Sequence, residues 1–255
     1  MKGKIIVMVM LILLSLQPLT YAETINEGVL NELSDEVLQL TKQERYEEAA
    51  ALLEQFPQRL EQSRHDWLKL SPENIRMLTV IHEEASAALK TDALEKAEKV
   101  RKVTSFRLLV DALQSEHQPL WTEMEGTIMG AFSQLKTTVS TGDERSFEDE
   151  YHSFLSQYEM ILPSVQVDIR KEYVQRMDAH LAFLNSPSSI NEQSRLKQLE
   201  QMEQDLQNLF HKMKEEEISP SLIWMMATTG SIIVLTLSYV AWRKYNGDKV
   251  QYTTP

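Results

Sequence analysis

The chain has 255 residues, 42% of them hydrophobic, and 38 acidic against 26 basic side chains give a formal net charge of −12. That apolar share excludes a disordered acidic chain, which has too little to bury, and a polytopic membrane protein, which has far more. The absence of cysteine excludes disulfides, thiolate metal sites and a cysteine nucleophile, and seven glycines with eight prolines are too few for the turns of a large all-β protein. The expected fold class is therefore all-α: a helical bundle of antiparallel helices.

The N-terminus opens Met1-Lys2-Gly3-Lys4, runs apolar from Ile5 to Leu16, and closes on Pro18, Thr20 and Ala22. A basic start, a short apolar stretch and small residues before a cleavage point make a signal peptide over residues 1–22. Whether it is cleaved or kept as an anchor does not alter where the rest of the chain is placed.

Residues 23–189 read as one helical extracytoplasmic domain with a period near 3.6 throughout. Tyr46-Glu47-Glu48-Ala49 resembles the second helix of one tetratricopeptide pair, echoed faintly by Phe147-Glu148-Asp149. Two such units do not make a solenoid, so separate helical hairpins are expected. Ser71-Pro72 starts a helix with Ile75, Leu78, Ile81, His82, Ala85 and Leu89 on its inner face. Thr91-Asp92 offers the cap for the next helix, from Leu94 to Leu113. That helix is apolar nearly all round from Phe106 onward and should be the most buried. Pro119 opens a helix with a stripe of Trp121, Met124, Ile128, Phe132, Leu135 and Val139, and Gly126 and Gly130 within it predict close helix approach. Gly142-Asp143 ends that helix and caps one carrying Phe147, Tyr151, Phe154 and Tyr158. Pro163 is expected to separate it from the next, with Ile169, Tyr173, Met177 and Leu184, and residues 185–189 form the clearest break.

Residues 190–219 read as a heptad-like helix in which Leu199, Leu206 and Met213 recur every seven residues, with Met202 and Leu209 between. This seam either packs on the domain or makes a stalk that pairs two copies as a homodimer through residues 190–217. Residues 220–242 read as a transmembrane helix. Ser221 to Trp242 is uncharged and, at about 1.5 Å per residue, reaches roughly 33 Å, enough for a bilayer core. Trp224, Tyr239 and Trp242 sit near its ends as interfacial aromatics, and Arg243-Lys244 follows as a stop. The basic flank assigns residues 243–255 to a cytosolic tail and the acidic domain to the far side of a single-pass cell-membrane protein.

Between the two ends, 21 basic residues face 37 acidic ones, which leaves 16 negative charges. Such a surface repels nucleic acid and anionic headgroups as a whole, and favours a basic protein partner. No cofactor or metal is expected. Of the six histidines none has a helical zinc-binding mate: His82-Glu83-Glu84 lacks the second histidine, and Glu148 with His152 is a pair common by chance. No glycine loop precedes a lysine to cradle phosphate, and no nucleophile elbow is present, so no catalytic residues are expected. Arg107 and Asp111 stand above this background. Four apart in the most apolar helix, they should pair, half-buried or more, either as a structural pair or as a partner site. Trp121 is expected to lie against the same region.

An acidic all-helical domain between a signal peptide and one terminal span resembles the YpjB family of sporulation proteins from endospore-forming Bacillus-type bacteria. The most family-like stretch is Arg107-Leu108-Leu109-Val110-Asp111-Ala112-Leu113, continuing to Gln118-Pro119-Leu120-Trp121. The resemblance implies a role in spore formation at a membrane and brings no catalytic residues with it. The first functional reading is thus a membrane-anchored, non-enzymatic interaction or scaffold protein. The alternatives are an exported cell-wall hydrolase using carboxylates, and a sensor that works through a membrane partner.

Overall fold

The structure, a computed structural model, describes residues 27–62, 70–115, 118–139, 143–186, 191–215 and 220–248. The expected signal peptide, the Gly142 break, residues 187–189 and the end of the tail lie outside the described residues. Among the described residues all regular structure is helical, as the periodicity predicts.

The helices sort into two units, residues up to Gln114 and residues from Ser115 onward. The helices of the domain expected over 23–189 thus gather into two compact units. The reason is that the helices of each part bury their apolar stripes on one another.

In the first unit α1 (Glu27–Lys42), α2 (Tyr46–Leu53), α3 (Phe56–Gln62), α4 (Pro72–Lys90) and α5 (Lys96–Gln114) follow in order. The turn from α1 to α2 closes with Arg45 N–H donating to Leu40 O and Glu44 N–H to Thr41 O, both at 3.0 Å. This six-residue closure puts Glu44 in the left-handed region at φ 64, a place usually taken by glycine. An ion pair of 2.5 Å from Lys96 to Glu44 ties that corner to α5 and holds the Glu44 carboxyl below its usual range. Ser71 caps α4 as predicted, accepting from Asn74 N–H at 3.1 Å. Thr91, in contrast, ends α4 and its hydroxyl accepts from Ala93 N–H. The next helix therefore starts only at Lys96, and Leu94 is left partly exposed. α5 packs between α1 and α4. Its residues Phe106 to Ala112 are all buried, as its unbroken apolar run requires.

The second unit opens with a 3₁₀ turn (Leu120–Met124), followed by α6 (Glu125–Val139), α7 (Glu144–Asp168), α8 (Lys171–Leu184), α9 (Glu192–Glu215) and α10 (Pro220–Asp248). Asp143 caps α7 by accepting from Arg145 N–H at 3.1 Å and Ser146 N–H at 3.4 Å. The break expected at Pro163 is not there. α7 runs through the proline to Asp168 and turns only at Ile169, whose backbone is extended. An internal proline costs about 3 kcal/mol through its missing N–H and ring clash. Phe154, Tyr158, Ile161 and Val165, spaced by four, three and four, are all fully buried. At roughly 1.5–3 kcal/mol for each large apolar side chain, that stripe outweighs the proline.

The heptad seam of α9 takes the first of the two arrangements its spacing left open, packing within the chain. Leu199, Met202, Leu206, Leu209 and Phe210 are buried, and the helix packs on α8 and α6 of its own unit. The short seam of two to three heptads is buried against the apolar faces beside it.

Gly126 and Gly130 do not mediate close packing either, since a Cβ built at either meets nothing within 4 Å. Gly130→Ala is therefore expected to stabilise the second unit by about 0.5–1 kcal/mol, the usual helix-interior difference. A lowered denaturation midpoint would show that something does approach this face.

Candidate functional site

The singled-out charges lie where α1 packs on α5. The Arg107 and Asp111 side chains are only 7% and 10% exposed, and Arg107 Nη1 lies 3.5 Å from Asp111 Oδ1. The expected pairing is present, but it is the weaker half of the site. The Arg107 fork is directed at α1: Nε donates to Asp35 Oδ1, Nη2 to Asp35 Oδ2 at 3.2 Å, and Nη1 to Asn31 Oδ1 at 3.2 Å. A planar guanidinium meeting a carboxylate through two parallel N–H groups is the strong form of this interaction. Asp35 is 56% exposed, so one edge of the cluster reaches water while Arg107 and Asp111 stay inside. Asn31 and Asp35 were invisible to spacing rules, being 76 and 72 residues from Arg107. Both sit beside the buried stripe of α1 and not on it, Asn31 half-buried and Asp35 exposed, so they read as ordinary surface polar residues.

Close by in the same unit, His82 occupies an aromatic corner. Its ring centroid is 5.7 Å from both Phe56 and Phe106, and those two rings meet edge to face at 4.9 Å. His82 Nε2 is 3.1 Å from Leu53 O, so it must carry the proton and donate. A pocket of about 230 Å³ opens on this corner, lined among others by Phe56, Leu60, Leu70, Ile75 and His82. It explains why Ile75, expected on the inner face of α4, is 48% exposed.

Trp121 belongs to the second unit. It is fully buried, its Nε1–H donates to Asp168 Oδ2 at 2.6 Å, and its ring lies 5.5 Å from Phe210. These contacts are with α7 and α9 of the second unit, whereas Arg107 and Asp111 belong to the first. A second polar linkage joins α8 to α9. His180 Nε2 lies 3.0 Å from Asp205 Oδ2 and Nδ1 lies 2.7 Å from Gln198 Nε2, which fixes Nε2 as donor and Nδ1 as acceptor. Arg195 on α9 stacks over Phe147 at 4.3 Å and bonds both Glu144 oxygens, at 3.0 and 3.1 Å. These linkages are cross-helix ties, each joining residues brought together only by folding. Among the described residues, no three or more histidine or carboxylate side chains are grouped so as to hold a metal ion.

The model of a family described as sporulation protein YpjB (SpoYpjB) matches residues 28–253. The chain belongs to this family. It is 35% identical over 225 residues to the uncharacterized protein YpjB of Bacillus subtilis (strain 168), covering 86% of this chain and 85% of that relative. No solved structure matches the chain. The YpjB match takes in both helical units and α10 alike. The Arg107 cluster and the Trp121 anchor thus both fall inside the YpjB region.

Proposed function

We propose that this YpjB protein is a membrane-anchored, non-enzymatic interaction protein of sporulation, with its two acidic units outside the cytosol and its short basic tail inside. The observation that carries the reading is α10. Its stretch Met225–Lys244 is long and apolar enough to cross a bilayer, and none of it is buried by the rest of the fold. Met225, Met226, Ile232, Ile233, Val234, Leu235 and Leu237 are each more than half exposed. A soluble protein would not leave so large a continuous apolar surface to water. Tyr239 and Trp242 lie at the end that meets Arg243 and Lys244, the arrangement of an interfacial boundary next to a basic cytosolic flank. The non-enzymatic part rests on how the polar side chains are used. The buried Arg107 guanidinium and the ordered imidazoles of His82 and His180 are engaged in ties between helices.

Single cysteines at Ser188 and Thr253 test the topology, since the native chain has none. An impermeant thiol reagent on intact cells is expected to label Ser188→Cys and spare Thr253→Cys; the reverse pattern inverts the orientation. The activity arm is separate. Full-length protein mixed with cell-wall polymer should release no product, and turnover abolished by one Asp or Glu substitution would replace the scaffold reading with that of a hydrolase. In sporulating cells, crosslinking from the exposed acidic faces should then recover a defined protein partner.

A further inference from the structure

The chain is strongly acidic, yet three cations gather on one tyrosine. Tyr173 stands in the first turn of α8. The Arg176 guanidinium lies 4.4 Å from its ring centroid, the Lys212 ammonium 5.2 Å and the Arg170 guanidinium 5.5 Å. Arg176 is half exposed and has a carboxylate beside it, Asp205 at 3.4 Å. Arg170 and Lys212 have no carboxylate partner among the described residues. In a sequence with 38 acidic side chains against 26 basic ones, cations left uncompensated beside one another call for an external anion. The hydroxyl fits that role. Hydrogen bonding from Arg170, ahead of the charge of Lys212, holds the Tyr173 phenol below its usual range. The phenol oxygen thus accepts from guanidinium while its own O–H remains available to donate. Two guanidiniums and an ammonium within 5.5 Å of one ring centroid, with the phenol O–H of that ring, supply the donors that phosphate oxygens take.

The place of the cluster in the chain supplies the source. Lys212 lies in the last turn of α9, which ends at Glu215, and α10 begins at Pro220. At about 3.6 Å per residue the connection spans at most roughly 18 Å. If α10 is embedded, Lys212 is tethered next to the headgroup layer. We propose that Arg170, Tyr173, Arg176 and Lys212 form a binding site for the phosphodiester of an anionic lipid headgroup, which docks the second unit on the membrane beside its own anchor. This rests on the membrane reading of α10 given above. The acidic surface as a whole is repelled by such a bilayer. Those charges act through water and are screened beyond about 8–10 Å, whereas the four groups of the site act in contact.

Full-length protein is reconstituted into nanodiscs of phosphatidylcholine alone or with phosphatidylglycerol, and amide hydrogen exchange is followed. With phosphatidylglycerol, the first turn of α8 and the last turn of α9 are expected to exchange about tenfold more slowly, the factor of one charge-assisted pair. That protection should vanish in Arg170→Gln/Lys212→Gln, whose side chains leave no carboxylate behind to disturb folding. Equal exchange in the two lipids, with α10 protected in both, overturns the proposal. Protection that inorganic phosphate produces in phosphatidylcholine discs, and phosphatidylglycerol does not, overturns the lipid source and reassigns the site to a free phosphate. An α10 that exchanges freely in both discs removes the membrane reading itself and the headgroup assignment with it. The inorganic phosphate arm then still decides whether the four groups bind an anion.

Discussion

Arg107→Met is expected to destabilise the first unit by about 3–5 kcal/mol, the cost of removing the cation from a buried ion pair. The asymmetry of the cluster sets where that cost arises. Asp35 is 56% exposed and can be hydrated once the guanidinium is gone, but Asp111 is 10% exposed and cannot. Stability should therefore return in large part in Arg107→Met/Asp111→Leu, which removes the buried anion together with its counter-ion and fills the space with apolar groups. Asp35→Ala, which takes away the bidentate partner and leaves Asp111 in place, should fall between the two. Denaturant midpoints for the three variants give the order. If Asp35→Ala is as harmless as a surface change, the fork to α1 contributes nothing and the pairing within α5 is the true one. A double variant that folds stably but fails to support sporulation would move the cluster from architecture to partner recognition.

What was legible in the sequence is what periodicity and caps encode. The Ser71 and Asp143 caps, the buried run of α5 and the stripe from Trp121 to Val139 are local patterns, and each stands where spacing placed it. The misplacements share a different cause. Pro163 signals a break by its own chemistry, and only the stripe of Phe154, Tyr158, Ile161 and Val165 buried on the neighbouring helices overrides it. Gly126 and Gly130 have the spacing of a close helix contact, but among the described residues a Cβ built at either meets nothing within 4 Å. The seam of α9 left two arrangements open, and the helix packs on α8 and α6, because spacing specifies an apolar face and not its occupant. The sites show the same limit. Arg107 and Asp111 were visible as charges in an apolar run, whereas the roles of Asp35, Asp168 and Asp205 depend on contacts 72, 47 and 25 residues distant in sequence.

Trp121→Ala should be the most damaging change in the second unit, at about 3–5 kcal/mol for truncating a fully buried large aromatic. Two contributions are separable. The ring fills space beside Phe210, at a centroid distance of 5.5 Å, and its N–H donates to Asp168 Oδ2 at 2.6 Å. Trp121→Phe keeps most of the apolar volume and removes the donor, so it should cost about 1.5–3 kcal/mol, the range for losing one hydrogen bond to a charged group. The remainder of the alanine effect is then packing. Asp168 ends α7 and Phe210 lies on α9, so the tryptophan bridges the start of α6 to both helices, and its loss should loosen them together. The division of the chain sharpens the test. Hydrogen exchange in Trp121→Ala should accelerate in residues 118–215 and stay near native in residues 27–114, with Arg107→Met showing the opposite pattern. If either substitution accelerates exchange evenly through both stretches, the units unfold as one cooperative body, and stability measured at either site belongs to the whole molecule.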